Sequence, residues 1–396
     1  MLTFVKRLQM VTISPTLSFY LDLTRWIAAL AVVMGHFRSY MFINAGGVEN
    51  NNILTRIFYF VTGFGHEAVI IFFVLSGFLV GGKALSNVNA GKFNLKTYSI
   101  KRFSRIYLVV FLALPLGAAL DLIGMHYFNQ AGMYNGTYSF QLGSPVFSAQ
   151  MQLTPSVALG NLFMLQTVTV PPLGTNLPLW SLANEFWYYI LFPLCLSIIL
   201  WRSEIFNPII SSILIIVLIL FLPNKIVLYF TLWLLGVVIA FIHRSLVKPR
   251  ILSFGLFFAS LLFARFGIFP GWFFSDLVVA GTFALTINAL VNAESRVVKN
   301  QRVNKLNQTL SGFSYSLYAI HYPIMVLMIT AIEDLRGNAF SQQPSLSVYL
   351  LYVLLISVVY VIAFFFSRLT EANTVRFRNL LFRLTSGKSM TRQQQA

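Results

Sequence analysis

Ten stretches of about 16 to 20 predominantly apolar residues follow one another along this 396-residue chain, separated for the most part by short polar joints. They cover 19–37, 67–85, 106–125, 181–200, 207–222, 226–242, 250–266, 272–291, 313–332 and 347–367. One helical crossing of a bilayer needs roughly 20 such residues, and only a helix satisfies its backbone polar groups within the segment itself. With 57% hydrophobic and 10% charged residues, the chain is too apolar for a water-soluble domain of this size. The pattern predicts an all-α integral membrane protein, a single bundle of about ten transmembrane helices. Residues 1–18 precede the bundle, 19–367 form it, and 368–396 make a basic polar tail.

A net charge of +17 would suggest nucleic acid in a soluble chain, but here the positions of the charges decide the reading. With the N-terminus in the cytoplasm, 22 of the 28 Lys and Arg residues fall in inner loops and tails: Lys6 and Arg7, 83–105, Arg202, 244–250, 296–305 and 368–392. Arg38, Arg56, Lys225, Arg265 and Arg336 fall at outer helix ends, and Arg25 falls inside the first helix. One helix missed or invented would invert every later loop, so both termini are expected in the cytoplasm. The implied partner is membrane lipid, with no nucleic acid, and the tail suits an anionic inner leaflet.

The first apolar stretch is too long for a signal-peptide core and carries Asp22 and Arg25, so it reads as a retained helix. The longest outer segment, 126–180, holds a short apolar piece at 157–165 and is expected to fold back over the outer face. The single cysteine, Cys195, permits no internal disulfide and no cysteine metal cluster, and no metal is expected. Oligomeric state leaves no mark in the sequence.

Ionisable groups inside membrane helices are costly and are usually paired or functional. Arg25 and His36 are eleven residues apart, close to three turns, so they share a helix face about 16 Å apart along the axis. Asp22, three residues before Arg25, neutralises it on the same side. Imidazole suits removal of a proton from an attacking hydroxyl near neutral pH. His36 with Arg25 and Asp22 is therefore a candidate catalytic group.

On the cytoplasmic side, Lys101, Arg102 and Arg105 precede the third predicted span, and the two arginines form a fork suited to phosphate oxygens. Trp180, Glu185 and Trp187 open the fourth helix, with Ser181 as a plausible N-cap and Glu185 near the first turn. The aromatics beside that carboxylate suit a sugar. His321, two residues before Pro323, is a second intramembrane imidazole. His66 and Glu67 stand at the outer start of the second helix, where Ser76 and Gly77 favour close helix packing.

These segments, in this order, resemble the membrane-bound acyltransferase 3 family, which includes bacterial polysaccharide and lipopolysaccharide O-acetyltransferases. Arg25 and His36 match its Arg-x10-His signature, and Arg102 and Arg105 match its Arg-x-x-Arg motif. Phe72 to Leu79, Trp180-Ser181-Leu182 with Glu185, and Ser314 to Tyr318 with His321 are similar to further family stretches. Two departures stand out: Leu108 occupies a position where the family often has proline, and the Glu185 region lacks a second acidic residue.

The resemblance implies transfer of an acyl group, most often acetyl, from cytoplasmic acetyl-CoA or another acyl-CoA such as succinyl-CoA. The acceptor is a hydroxyl of a polysaccharide or lipid-linked saccharide, as in lipopolysaccharide O-antigen, on the outer side of a bacterial inner membrane. It implies catalytic roles for His36, Arg25, Asp22 and Glu185, and acyl-CoA contacts from Arg102, Arg105 and Lys101. Glu185, Trp180, Trp187 and His321 then contact the saccharide. A transporter or flippase of a lipid-linked saccharide is the competing reading, and it would need no thioester.

Overall fold

The computed structural model describes residues 9–130, 132–135, 152–201, 205–291, 293, 300–337 and 341–386. Lys6, Arg7, Arg202, Arg296, Arg392 and the whole of 136–151 lie outside them. Among the described residues the secondary structure is helical, apart from two isolated bridges.

The helices are α1 (Pro15–Met41), α2 (Ile53–Val61), α3 (Gly65–Ser76), α4 (Gly82–Asn89), α5 (Leu95–Tyr127), α6 (Pro155–Leu162), α7 (Trp180–Ile199) and α8 (Pro208–Phe221). They continue as α9 (Asn224–Ile239), α10 (Arg250–Arg265), α11 (Trp272–Val291), α12 (Gln301–Gly312), α13 (Ser314–Arg336), α14 (Leu346–Leu369) and α15 (Thr374–Ser386). Each of the ten apolar stretches is a helix. Among the described residues, seven helical segments are long and apolar enough to cross a membrane. The helices α8, α9 and α10 are shorter, at 14, 16 and 16 residues.

Local chemistry sets many of the starts. Side-chain oxygens of Ser14, Asn52, Asn94, Thr154, Asn207 and Asn300 accept backbone N–H bonds at the heads of α1, α2, α5, α6, α8 and α12. Proline follows the cap at Pro15, Pro155 and Pro208, where its missing N–H costs nothing.

The Asn94 cap changes one expectation. The third predicted span begins at Leu95 instead of residue 106, so Lys101, Arg102 and Arg105 lie within α5 and not in a preceding loop. Lys and Arg are good helix formers, and hydropathy registers only the apolar part of such a helix. At 33 residues α5 is about 50 Å long.

The chain gathers into two compact units. The first draws on 1–93, 190–314 and 338–356. In it α1 packs on α3, α11 and α12, while α9 packs on α3 and on the π-helical turn Gly77–Gly81. A Cβ on Gly77 would sit 1.8 Å from the Trp233 carbonyl oxygen, and one on Gly236 would sit 2.0 Å from that of Val74. The indole N–H of Trp233 donates to Ser76 Oγ at 3.1 Å. Small residues here let two backbones touch, as the sequence predicted for Ser76 and Gly77.

Neither backbone can step aside alone, so Gly77→Ala is expected to destabilise the protein by about 2 kcal/mol. Thermal unfolding in detergent checks this, and an unchanged midpoint would mean that the helices separate freely.

The second unit draws on 94–189, 315–337 and 357–396. Its segment 152–180 is held by side chains. Asn161 donates to the carbonyls of Val157 and Pro171 and accepts from Leu173 N, and Gln166 donates to the Leu179 carbonyl. Asp121 accepts from both Thr175 N and Thr175 Oγ1, at 2.7 and 2.6 Å. The described part of 126–180 is thus a folded cap on this unit, including α6, which is too short to span.

Residues 374–386, expected within a basic polar tail, form α15 packed on α5, with Phe382 buried. Lys96 Nζ donates to the Thr385 carbonyl.

Candidate active site

In the first unit, unbroken helix from Pro15 to Met41 keeps Arg25 and His36 on one face, as their spacing required. Arg25 Nη1 donates to Asp22 Oδ1 at 2.8 Å, and Ser311 Oγ donates to the same oxygen at 3.0 Å. Asn307 accepts from the Trp26 indole and donates to the Phe19 carbonyl. Two polar residues of α12 therefore fasten the Asp22–Arg25 turn of α1. His36 is half-buried.

Beside it, Gly35 lets α1 approach the turn before α3, since a Cβ there would lie 3.2 Å from the Thr62 carbonyl oxygen. A second imidazole in this unit has a fixed orientation. His66 Nε2 meets Asp276 Oδ1 at 2.8 Å, and Tyr229 donates to Asp276 Oδ2 at 2.7 Å. No sequence signal could join His66 to Asp276 across 210 positions.

The second unit holds the other candidates. Arg102 lies 6.0 Å from the centre of the Tyr98 ring, and Arg105 lies 5.5 Å from that of Tyr315. Arg105 keeps an accessible surface although Tyr189, Glu185, Tyr315 and Glu371 all act on its charge. Its guanidinium thus lies among tyrosine rings and carboxylates. Lys101 is partly exposed on the same helix.

Glu185 Oε1 accepts from Tyr189 at 2.5 Å. The structure thus groups Glu185 with Arg105. The helix α7 starts one residue before Ser181, continuing the 3-10 turn Leu177–Leu179. Ser181 is consequently not the N-cap: its hydroxyl donates to Tyr318 Oη at 2.7 Å, and Tyr318 in turn donates to the Pro178 carbonyl at 3.1 Å. Glu185 lies beyond the first turn, so a simple helix-dipole role does not account for it.

Trp180 and Trp187 are half-buried, and the Trp187 indole donates to the Met164 carbonyl. His321 is fully buried, with Nδ1 at 2.9 Å from the Tyr318 carbonyl. That contact puts the proton on Nδ1 and the lone pair on Nε2.

Glu371 was missed by reading its segment as tail. Its carboxylate oxygens accept from Tyr315 N and Ser316 N at 3.3 and 3.2 Å, capping α13. Among the described residues, no three His, Cys, Asp or Glu side chains stand together as a metal site.

A family model described as an acyltransferase domain, acyltransferase 3, matches residues 18–368. The chain belongs to the acyltransferase 3 family. Among curated proteins, this acyltransferase is similar to acyltransferase MdmB of Streptomyces mycarofaciens, with 26% identity over 343 residues, 76% of this chain and 77% of the relative. No solved structure matches. Family membership and the long apolar helices make the protein a multi-pass membrane acyltransferase.

Proposed function

We propose that this acyltransferase moves an acetyl group from cytoplasmic acetyl-CoA to a hydroxyl of a cell-surface or lipid-linked saccharide, at the outer face of a bacterial inner membrane. It does so with ten membrane crossings and both termini inside. Membership of the acyltransferase 3 family carries the reading of acyl transfer. The crowding of 22 of 28 Lys and Arg residues into one set of loops supports the orientation.

In this reading Arg102 and Arg105, with Lys101, hold the phosphates of CoA, since guanidinium forks match phosphate oxygens. His36 accepts the proton of the acceptor hydroxyl as its oxygen attacks the thioester carbonyl. The tetrahedral adduct expels the CoA thiolate, which takes up that proton, and the ester remains on the sugar. Asp22 and Arg25 keep α1 in place for this step. Glu185 works alongside the arginine pair, and Trp180, Trp187 and His321 contact the saccharide.

Release of free CoA from acetyl-CoA by the full chain in lipid nanodiscs, with a candidate polysaccharide present, tests the reading. Stoichiometric sugar ester and CoA are expected. Folded protein that neither binds acetyl-CoA nor releases CoA would turn the assignment to a saccharide flippase.

A signed prediction separates the two duties of Glu371. Burial pushes the Glu371 carboxyl up to about 7, so above that pH Glu371→Gln removes an anion from the head of α13, at a cost of about 1 kcal/mol in unfolding stability. It also removes a carboxylate acting on Arg105, so acetyl-CoA should bind several-fold more tightly. Weaker binding would place Glu371 in the donor site as a positive contributor.

A further inference from the structure

Five basic residues run against the charge asymmetry of the chain, and three of them, Arg38, Arg56 and Arg265, gather in the first unit where α1 ends. A cavity of about 630 Å³ there is lined by Arg56, Arg265, Asn51, Tyr59, Phe60 and Phe266, among others. Arg38 stacks 5.4 Å from the centre of the Tyr59 ring. Arg265 Nη2 donates to the Tyr59 carbonyl at 3.2 Å, and Arg56 Nε donates to the Asn51 carbonyl at 3.1 Å. Arg38 and Arg265 are close enough to repel each other.

Among the described residues no carboxylate forms an ion pair with the cluster, although Glu67 is near enough to act on the charge of Arg265. The ion pairs Arg25–Asp22 and His66–Asp276 use none of these arginines. Glu49 and Glu67, the acids of this neighbourhood, form no ion pair with them. The Nε of Arg38 is buried without a hydrogen-bond partner. Arg56 and Arg265 line the recess, and Arg38 stands near enough to Arg265 to repel it, so that guanidinium donors and aromatic rings together match an anion carried on a sugar.

One turn links the recess to the helix that carries the candidate base. The turn at 62–65 meets Gly35, next to His36, through the Thr62 carbonyl, and the same turn presents Gly63 to Arg265.

We propose that this recess binds a phosphate or carboxylate group of the acceptor, so that the acceptor is an anionic saccharide held beside His36. The proposal rests on the acyl-transfer reading and adds the class of acceptor to it. Arginines at helix ends also reach lipid phosphates, and the experiment separates that source.

Full-length protein in phosphatidylcholine nanodiscs is titrated with glucuronate, glucose 1-phosphate and glucose, with binding followed by saturation-transfer NMR. Both anionic sugars are expected to bind at least about tenfold more tightly than glucose. The double variant Arg56→Gln/Arg265→Gln should erase the difference. Gly63→Ala keeps every charge, but its Cβ would lie 2.6 Å from Arg265 Cζ and displace the guanidinium, so it should weaken the preference.

Acetyl-CoA binding on the same samples should be untouched in the variants. Its failure in the wild type would fault the acyl-transfer reading separately. Equal binding of glucose, or a preference that survives the double variant, would overturn the proposal. So would loss of co-purifying phosphatidylglycerol from the double variant with the sugar preference intact, which would make the recess a lipid-headgroup site.

Discussion

His36→Ala should lower acetyl-CoA-dependent acylation of the acceptor by about 100- to 10,000-fold while acetyl-CoA affinity stays unchanged. That range is the usual contribution of a positioned general base. The split between rate and affinity follows from the separation of roles, since the proposed donor contacts come from Arg102 and Arg105 on α5, whereas His36 lies on α1. The measurement is single-turnover ester formation beside isothermal titration with acetyl-CoA.

Rapid mixing with labelled acetyl-CoA resolves the route. Label retained on wild-type protein as an acyl-imidazole, and absent from His36→Ala, would mean that the group rests on His36 before moving to the sugar. A variant that turns over at the wild-type rate would remove His36 from the chemistry. It would direct attention to His321, whose Nε2 carries the lone pair.

The double variant Arg102→Gln/Arg105→Gln should weaken acetyl-CoA binding by at least about 100-fold, because each charge-assisted bond to phosphate is worth roughly 1.5–3 kcal/mol. Lysine should not rescue Arg105 fully. A point charge forgoes the planar fork, and with it the placement over the Tyr315 ring. Both variants keep the head of α5, whose cap is Asn94, so the fold should persist. Titration calorimetry reads the affinity, and a double variant that binds acetyl-CoA normally would sink the donor-site assignment.

The parts of the fold that contact lipid were legible because lipid imposes a composition: each apolar stretch became a helix. The helices that escaped notice are those whose stability comes from caps and packing instead. Polar α12 has Asn300 at its head and buries Asn307 and Ser311, yet hydropathy reads its segment as a charged loop. The first turns of α5 and all of α15 were hidden in the same way.

Within the site, local spacing was enough for the Asp22–Arg25 pair and for the common face of Arg25 and His36. Partners distant in sequence were not visible. Ser311 reaches Asp22 from 289 positions away, and Glu371 reaches the head of α13 from a segment that reads as tail. Nor did charge counting show that three of the stray arginines converge, since it records on which side a charge falls and nothing about its neighbours.

The two kinds of partner around Asp22 also imply an order of events during synthesis. The Arg25–Asp22 contact is made inside one helix, so α1 enters the bilayer already neutralised, when an unaccompanied guanidinium would resist insertion. Asn307 and Ser311 emerge nearly three hundred residues later and complete the arrangement. A nascent chain halted before α12 would therefore hold an inserted but unfastened first helix, and the ribosome must finish most of the protein before the turn below His36 is locked.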